Sequence, residues 1–198
     1  MRVHNVDFIR RKDPAVWRLQ YKWGGHHAVV STHEDGHIFS RHGAPLSSAA
    51  KTDFSNLCAR IFGMDSTLDG ELMLPLKASG QPPWFVIWDI PVHQGRDLTQ
   101  VSYLARLAVL AKHWTDFREP GRIRVAHNLW IAEVGEMKML DAMLQRCDGK
   151  LIEGVVAKNI SHHLNWSRIA QLDCTSQVKF RIEDLRESKP PQPPKLVS

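Results

Sequence analysis

The chain alternates short runs of strand-like patterning with three stretches of helical period. Trp17-Arg18-Leu19-Gln20-Tyr21 alternates bulky and polar side chains, Gly24-Gly25 interrupts the pattern, and His27-Ala28-Val29-Val30-Ser31 resumes it. Glu34-Asp35-Gly36 reads as a hairpin turn into His37-Ile38-Phe39-Ser40, so this region is expected to be a β-meander bent at its glycine pair. Over residues 47–62 the period becomes helical, with Phe54, Leu57, Cys58, Ile61 and Phe62 three and four apart. Two strands follow, residues 68–74 and 84–90, the second introduced by Gly80-Gln81-Pro82-Pro83. Residues 98–114 predict a helix with Leu104, Leu107, Ala108 and Ala111 on one face. A strand is expected at 123–129, an amphipathic helix at 133–147 stopped by Asp148-Gly149, and final strands at 152–158 and 177–182. Hairpins beside irregularly placed helices predict an α+β fold with mostly antiparallel sheets flanked by helices. Pro190-Pro191-Gln192-Pro193-Pro194 cannot enter a helix or a central strand, which divides the chain into one domain over 1–186 and a proline-rich tail or linker over 187–198.

Composition narrows the classes. In 198 residues, lysine plus arginine exceed aspartate plus glutamate by 26 to 21 for a formal charge of +5. Hydrophobic residues at 43% and charged residues at 24% place the chain in the globular range, which excludes disorder throughout. No apolar run is long enough to cross a membrane as a helix, and the first residues lack the apolar core of a secretory signal. Three scattered cysteines, Cys58, Cys147 and Cys174, fit reduced thiols in a cytoplasm better than a disulfide framework. The positive balance suits a polyanionic partner.

Two carboxylates stand in otherwise apolar strands, each beside a glycine: Glu71 in Leu68-Asp69-Gly70-Glu71-Leu72-Met73, and Glu153 in Leu151-Ile152-Glu153-Gly154-Val155-Val156. A buried carboxylate needs a cation or donors, and a neighbouring glycine lets a ligand or another backbone approach. Either glutamate alone could be solvent-facing; the pair points to a shared divalent cation, Mg²⁺ through oxygen ligands. The basic residues match. Lys22 precedes the glycine pair, Lys158 closes the Glu153 strand, and Lys179 and Arg181 share one face of the last strand, where they could grip a phosphate chain or simply be solvated.

These motifs together resemble the covalent nucleotidyltransferases: DNA ligases, RNA ligases and capping enzymes. Lys22-Trp23-Gly24-Gly25 is similar to the family's Lys-x-x-Gly, Ser40-Arg41-His42-Gly43 to Ser-Arg-x-Gly, and Leu68-Asp69-Gly70-Glu71-Leu72 to the ligase Leu-Asp-Gly-Glu-Leu. Trp84 to Ile90 looks like the aromatic strand ending in Phe-Asp-Ile. Glu153-Gly154-Val155-Val156-Ala157-Lys158 and Val178-Lys179-Phe180-Arg181 resemble the last two motifs, all in family order. The resemblance implies an ATP-grasp-like ligase adenylation domain and a three-step sealing reaction. The Lys22 amine would attack the α-phosphate of ATP to form lysyl-AMP, AMP would pass to a 5′-phosphate on nucleic acid, and a 3′-hydroxyl would displace it. By the same carry-over Gln20 would read the adenine edge and Trp88 stack on the base. Arg41 would contact the ribose or the 5′-phosphate, Glu71 and Glu153 would hold Mg²⁺, and Lys158, Lys179 and Arg181 would neutralise phosphate charge and depress the basicity of Lys22. The implied partner is nicked duplex DNA, met by a monomer.

Departures from the pattern shape further expectations. DNA ligases usually carry Asp-Gly after the lysine and an arginine two residues beyond, whereas this chain has Gly24-Gly25-His26-His27. Histidine in place of a permanent fork of charge predicts weaker or pH-dependent binding of the 5′-phosphate end. Too few residues follow Arg181 for the OB-fold clamp that most members carry, so a minimal domain, a fragment, or a clamp supplied by a partner is expected. Too few precede Lys22 for a nicotinamide-binding domain, which favours ATP over NAD⁺. RNA ligase is the alternative within the class, with a guanylyltransferase behind it. The rival from another class is a degenerate, non-catalytic domain that binds nicks or ends. A zinc site at His33 and His37 is disfavoured because a turn separates them, and Trp166 is the candidate exposed surface contact.

Overall fold

The computed structural model describes residues 6–34, 36–40, 42–46, 51–74, 82–164 and 177–183. In chain order the elements are α1 (Val6–Arg10), β1 (Trp17–Trp23), β2 (His26–Ser31), β3 (His37–Ser40), α2 (Lys51–Phe62), β4 (Thr67–Met73), β5 (Trp84–His93) and β6 (Arg96–Asp97). Then come α3 (Tyr103–Ala111), β7 (Arg118–Glu119), β8 (Arg122–Ala126), β9 (Leu129–Ala132), β10 (Gly135–Glu136), a 3₁₀ turn (Met137–Met139), α4 (Leu140–Gln145), β11 (Ile152–Asn159) and β12 (Gln177–Arg181). They form two sheets. One is four-stranded in the order β10-β1-β11-β12; the other runs β3-β2-β4-β5-β9-β8-β7, with β6 paired to β5. Apart from the parallel pair β5/β9, the pairings are antiparallel, so the α+β expectation holds with that one addition.

The expected meander does not form. β1 belongs to the four-stranded sheet and β2 to the larger one, so Gly24-Gly25 carries the chain from sheet to sheet instead of bending a hairpin. Both glycines are required by contact. A Cβ on Gly24 would lie 2.2 Å from the Lys150 carbonyl oxygen, and one on Gly25 would lie 2.7 Å from that of Leu72 and 2.5 Å from Met73 Sδ. Among the described residues the chain returns to the small sheet once, between β9 and β10, where Gly135 pairs with Leu19 of β1.

Trp17, Leu19, Tyr21 and Trp23 of β1 are buried with Val155, Ala157, Val178 and Phe180, and α1 and α4 cover this layer through Ile9, Leu140 and Met143. A second core under α2 and α3 joins Phe54, Cys58 and Phe62 to Leu68, Phe85, Ile87 and Leu110. Helix α3 is shorter than the expected 98–114. Ser102 caps it by accepting from the Ala105 amide, and its buried face is Tyr103, Arg106, Leu107 and Leu110, while Leu104 is exposed. The expected strand at 123–129 is two strands, β8 and β9, turned at Asn128 in a left-handed conformation (φ 60°). The expected helix at 133–147 keeps only α4, because residues 135–136 pair with β1. Among the described residues no helix is long and apolar enough to cross a membrane.

Candidate functional site

Antiparallel partners point the same way, so the register of the small sheet assembles one polar face. Lys22, Gly154 and Arg181 stand abreast across β1, β11 and β12, next to Gln20, Val156 and Lys179, and then Arg18, Lys158 and Gln177. The expected cluster of Gln20, Lys22, Lys158, Lys179 and Arg181 is therefore a property of strand alternation and register. Gly154 has no room for a side chain, since a Cβ there would lie 1.9 Å from the Phe180 carbonyl oxygen.

Glu153 breaks the alternation. Lys22 pairs with Gly154 but Trp23 pairs with Ile152, so a bulge leaves Glu153 unmatched. Its carboxylate turns to the polar face, where it forms one ion pair with the Lys22 amine and a second with Arg181, Nε to Oε2 at 3.2 Å. A field of cations was expected around Lys22, yet the group in contact with it is this carboxylate.

The larger sheet supplies the opposite wall. Glu71 on β4 is buried and accepts from the Gly25 amide at 3.0 Å. Burial pushes its carboxyl up to about 7, against the pull of Lys22, the Gly25 amide and His27, with Glu153 adding to the rise. One glutamate thus lies beside each glycine of the crossover, Glu153 beside Gly24 and Glu71 beside Gly25. Among the described residues no group of three or more His, Cys, Asp or Glu side chains could hold a metal on its own. Two carboxylates suit Mg²⁺, which commonly takes one or two and completes its shell with substrate phosphates and water. Burial raises the Glu71 carboxyl, so a cation placed beside it would stabilise its charged form, and the donor set fits.

Trp88 on β5 is half-buried, with the His27 ring 5.3 Å from its own. His27 does not stand free to replace the expected arginine, since its Nε2 lies 2.5 Å from Asp69 Oδ1. Gln20 is 2% exposed, and its Nε2 has no hydrogen-bond partner among the described residues, an orphan donor of the kind a ligand acceptor would satisfy. Lys158 reaches from the small sheet to the Trp88 carbonyl oxygen, 3.4 Å away. Arg41 and Trp166 lie outside the described residues.

Sequence reading missed the groups behind this wall. Asp89 and Arg106 form a buried two-pronged ion pair, Nε to Oδ1 at 2.7 Å and Nη2 to Oδ2 at 2.9 Å. The available signal was an arginine in the otherwise apolar run Leu104 to Leu110.

Comparison with protein-family models and with curated proteins returns no match. Solved structures do match. Mycobacterial DNA ligase D complexed with ATP and MES aligns at TM-score 0.58 and 20% identity over 85% of this chain and 55% of that one. The ligase domain of M. tuberculosis LigD aligns at 0.56 and 19% over 76% and 50%. An archaeal ATP-dependent RNA ligase aligns at 0.56 and 14% over 94% and 48%. The chain spans about half the length of these proteins. At such identities the likeness is one of fold: the chain has the fold of an ATP-dependent ligase nucleotidyltransferase domain.

Proposed function

We propose that this chain is the adenylation domain of an ATP-dependent polynucleotide ligase that seals 5′-phosphate to 3′-hydroxyl ends. The Lys22 amine attacks the α-phosphate of ATP, a P–N bond forms as the bond to pyrophosphate breaks, and AMP remains on the lysine. AMP then passes to a 5′-phosphate, and attack by the 3′-hydroxyl releases it. Supporting this reading above all is the convergence at Gly24-Gly25, where the Lys22 amine meets Glu153 while the next glycine amide holds Glu71.

Each residue has a physical task. Gln20 offers its orphan amide to the adenine edge, and Trp88, steadied by His27, offers a stacking face. Glu153 orients the Lys22 amine. Lys158 of β11 and Lys179 and Arg181 of β12 line one face of the small sheet and balance the negative charge of the triphosphate. Glu71 and Glu153 would hold Mg²⁺, which when bound polarises the phosphate oxygens. Binding of nucleic acid by this basic face is salt-sensitive.

The test is intact-protein mass spectrometry after incubation with Mg²⁺ and ATP, with GTP in parallel. One AMP mapped to Lys22, and none on Lys22→Ala of unchanged melting temperature, is the expected result. Wild-type labelling of Lys22→Ala would refute the assignment of the nucleophile, and a GMP adduct would redirect it to guanylyl transfer. DNA is our favoured substrate, because the Leu-Asp-Gly-Glu-Leu and Glu-Gly-Val-Val-Ala-Lys runs look most like those of DNA ligases. RNA sealing is the second reading, prompted by the archaeal RNA ligase that matches over 94% of this chain. Nicked duplexes of all-DNA and all-RNA strands decide between them.

A further inference from the structure

The amine of Lys158 sits 3.4 Å from the Trp88 carbonyl oxygen, 4.7 Å from the centre of the Tyr103 ring and 5.9 Å from that of Trp88. The charged and titratable groups that face it are Asp69 of β4, Asp89 of β5, Tyr103 and Arg106 of α3, Lys179 of β12 and, abreast of it on β1, Arg18. Burial lowers its basicity to about 8, and the carboxylate of Asp89 opposes that shift more than any other group. A partly buried ammonium in the field of a buried carboxylate ordinarily pairs with it. Here it does not. Both oxygens of Asp89 are taken by the Arg106 fork, and Oδ1 also accepts from the Ile90 amide at 2.9 Å. Arg106 is in turn fixed through Nη1 to the Val101 carbonyl oxygen at 2.6 Å and is 2% exposed.

We infer that Arg106 is a positioning residue: by saturating Asp89 it keeps Lys158 from collapsing onto that carboxylate and leaves its amine to the polar face shared with Lys22. That Lys158 there serves a nucleotide phosphate rests on the proposed function; the competition for Asp89 does not. A purely architectural ion pair would tie α3 to β5 and would be indifferent to what Lys158 does.

Two readouts separate these roles. The first is competitive acylation of lysines across pH followed by peptide mass spectrometry, which titrates Lys158 without requiring catalysis. Arg106→Met frees Asp89, so Lys158 should titrate at least about one unit higher than in the wild type. Arg106→Met combined with Asp89→Asn removes the competitor, and Lys158 should return to its wild-type titration. The second readout is the rate of AMP attachment, which should fall about tenfold or more in Arg106→Met and recover most of that loss in the double variant. An unmoved Lys158 in a folded Arg106→Met protein, or a double variant no better than the single one, overturns the inference. Should Arg106→Met not fold, Arg106→Gln decides: it cannot occupy both oxygens of Asp89, so Lys158 must titrate higher than in the wild type, and an unmoved Lys158 overturns the inference. A wild-type protein that takes no AMP would defeat the proposed function while leaving the acylation result to stand by itself.

Discussion

Replacing Glu71 by glutamine should make the protein more stable at alkaline pH while destroying its activity. The side chain is 7% exposed, and its carboxyl is raised from 4.5 to about 7, chiefly by burial. A raised carboxyl binds its proton more tightly in the folded state than in the unfolded one. Stability from this group is therefore full below about pH 4.5 and is lost as pH rises through 7, to a total of about 3 kcal/mol. Glutamine keeps an oxygen for the Gly25 amide and carries no charge, so Glu71→Gln avoids that loss. Urea unfolding at a series of pH values is the assay, with free energies extrapolated to water. Near pH 4.5 the two proteins should be equal within about 1 kcal/mol; above pH 7 the variant should lead by about 3 kcal/mol and form no lysyl-AMP. Saturating Mg²⁺ should close the gap by stabilising only the wild type. Two stability curves that stay parallel from acid to alkali would refute the buried, charge-starved carboxylate on which the site rests.

Gly25→Ala should cost about 1–3 kcal/mol, because its Cβ would press within 3 Å of Met73 Sδ, the Leu72 carbonyl oxygen and Glu71 Cγ. Thermal melting checks the stability, and intact mass should show AMP attachment lost although Lys22 is present. Gln20→Leu should leave stability unchanged or raise it by about 1 kcal/mol, since it removes a buried donor without a partner among the described residues. The same change should erode the preference for ATP over GTP, read from kcat/KM for each nucleotide.

Much of the site was legible because its chemistry lies on strands, where a period of two states which residues share a face. Lys179 and Arg181 declare their common side from spacing alone, and an isolated carboxylate beside glycine, as at Glu71 and Glu153, is conspicuous in an apolar run. Pairing partners were not legible. Two adjacent strands joined by Gly24-Gly25 look like a hairpin whether they pair with each other or part company, and only the cores on either side decide. The helical period over 133–147 was real for α4 but was overridden at Gly135, whose backbone bonds are taken by β1. Asn128 turned one expected strand into two by adopting a left-handed backbone that asparagine tolerates better than most residues. Glu153 reaches Lys22 only through a bulge, and alternation alone would have sent it to the other face. Arg106 was passed over because its reason for being in α3 lies in Asp89, on another element.

Among the described residues the chain passes between the two sheets at two places, after Trp23 and before Gly135. Gly135 pairs with Leu19, so both passages lie along β1, four residues or about 13 Å apart. Gln20 and Lys22 stand between the two crossings, with Glu71 and Trp88 on the larger sheet and Glu153, Lys158, Lys179 and Arg181 on the smaller one. The site is thus written half on each sheet, and the Lys158 contact with the Trp88 carbonyl oxygen is a tie between its halves. Beneath it a shared core, Trp23, Val155 and Phe180 with Met73, Val86 and Trp130, holds the two sheets in register with each other.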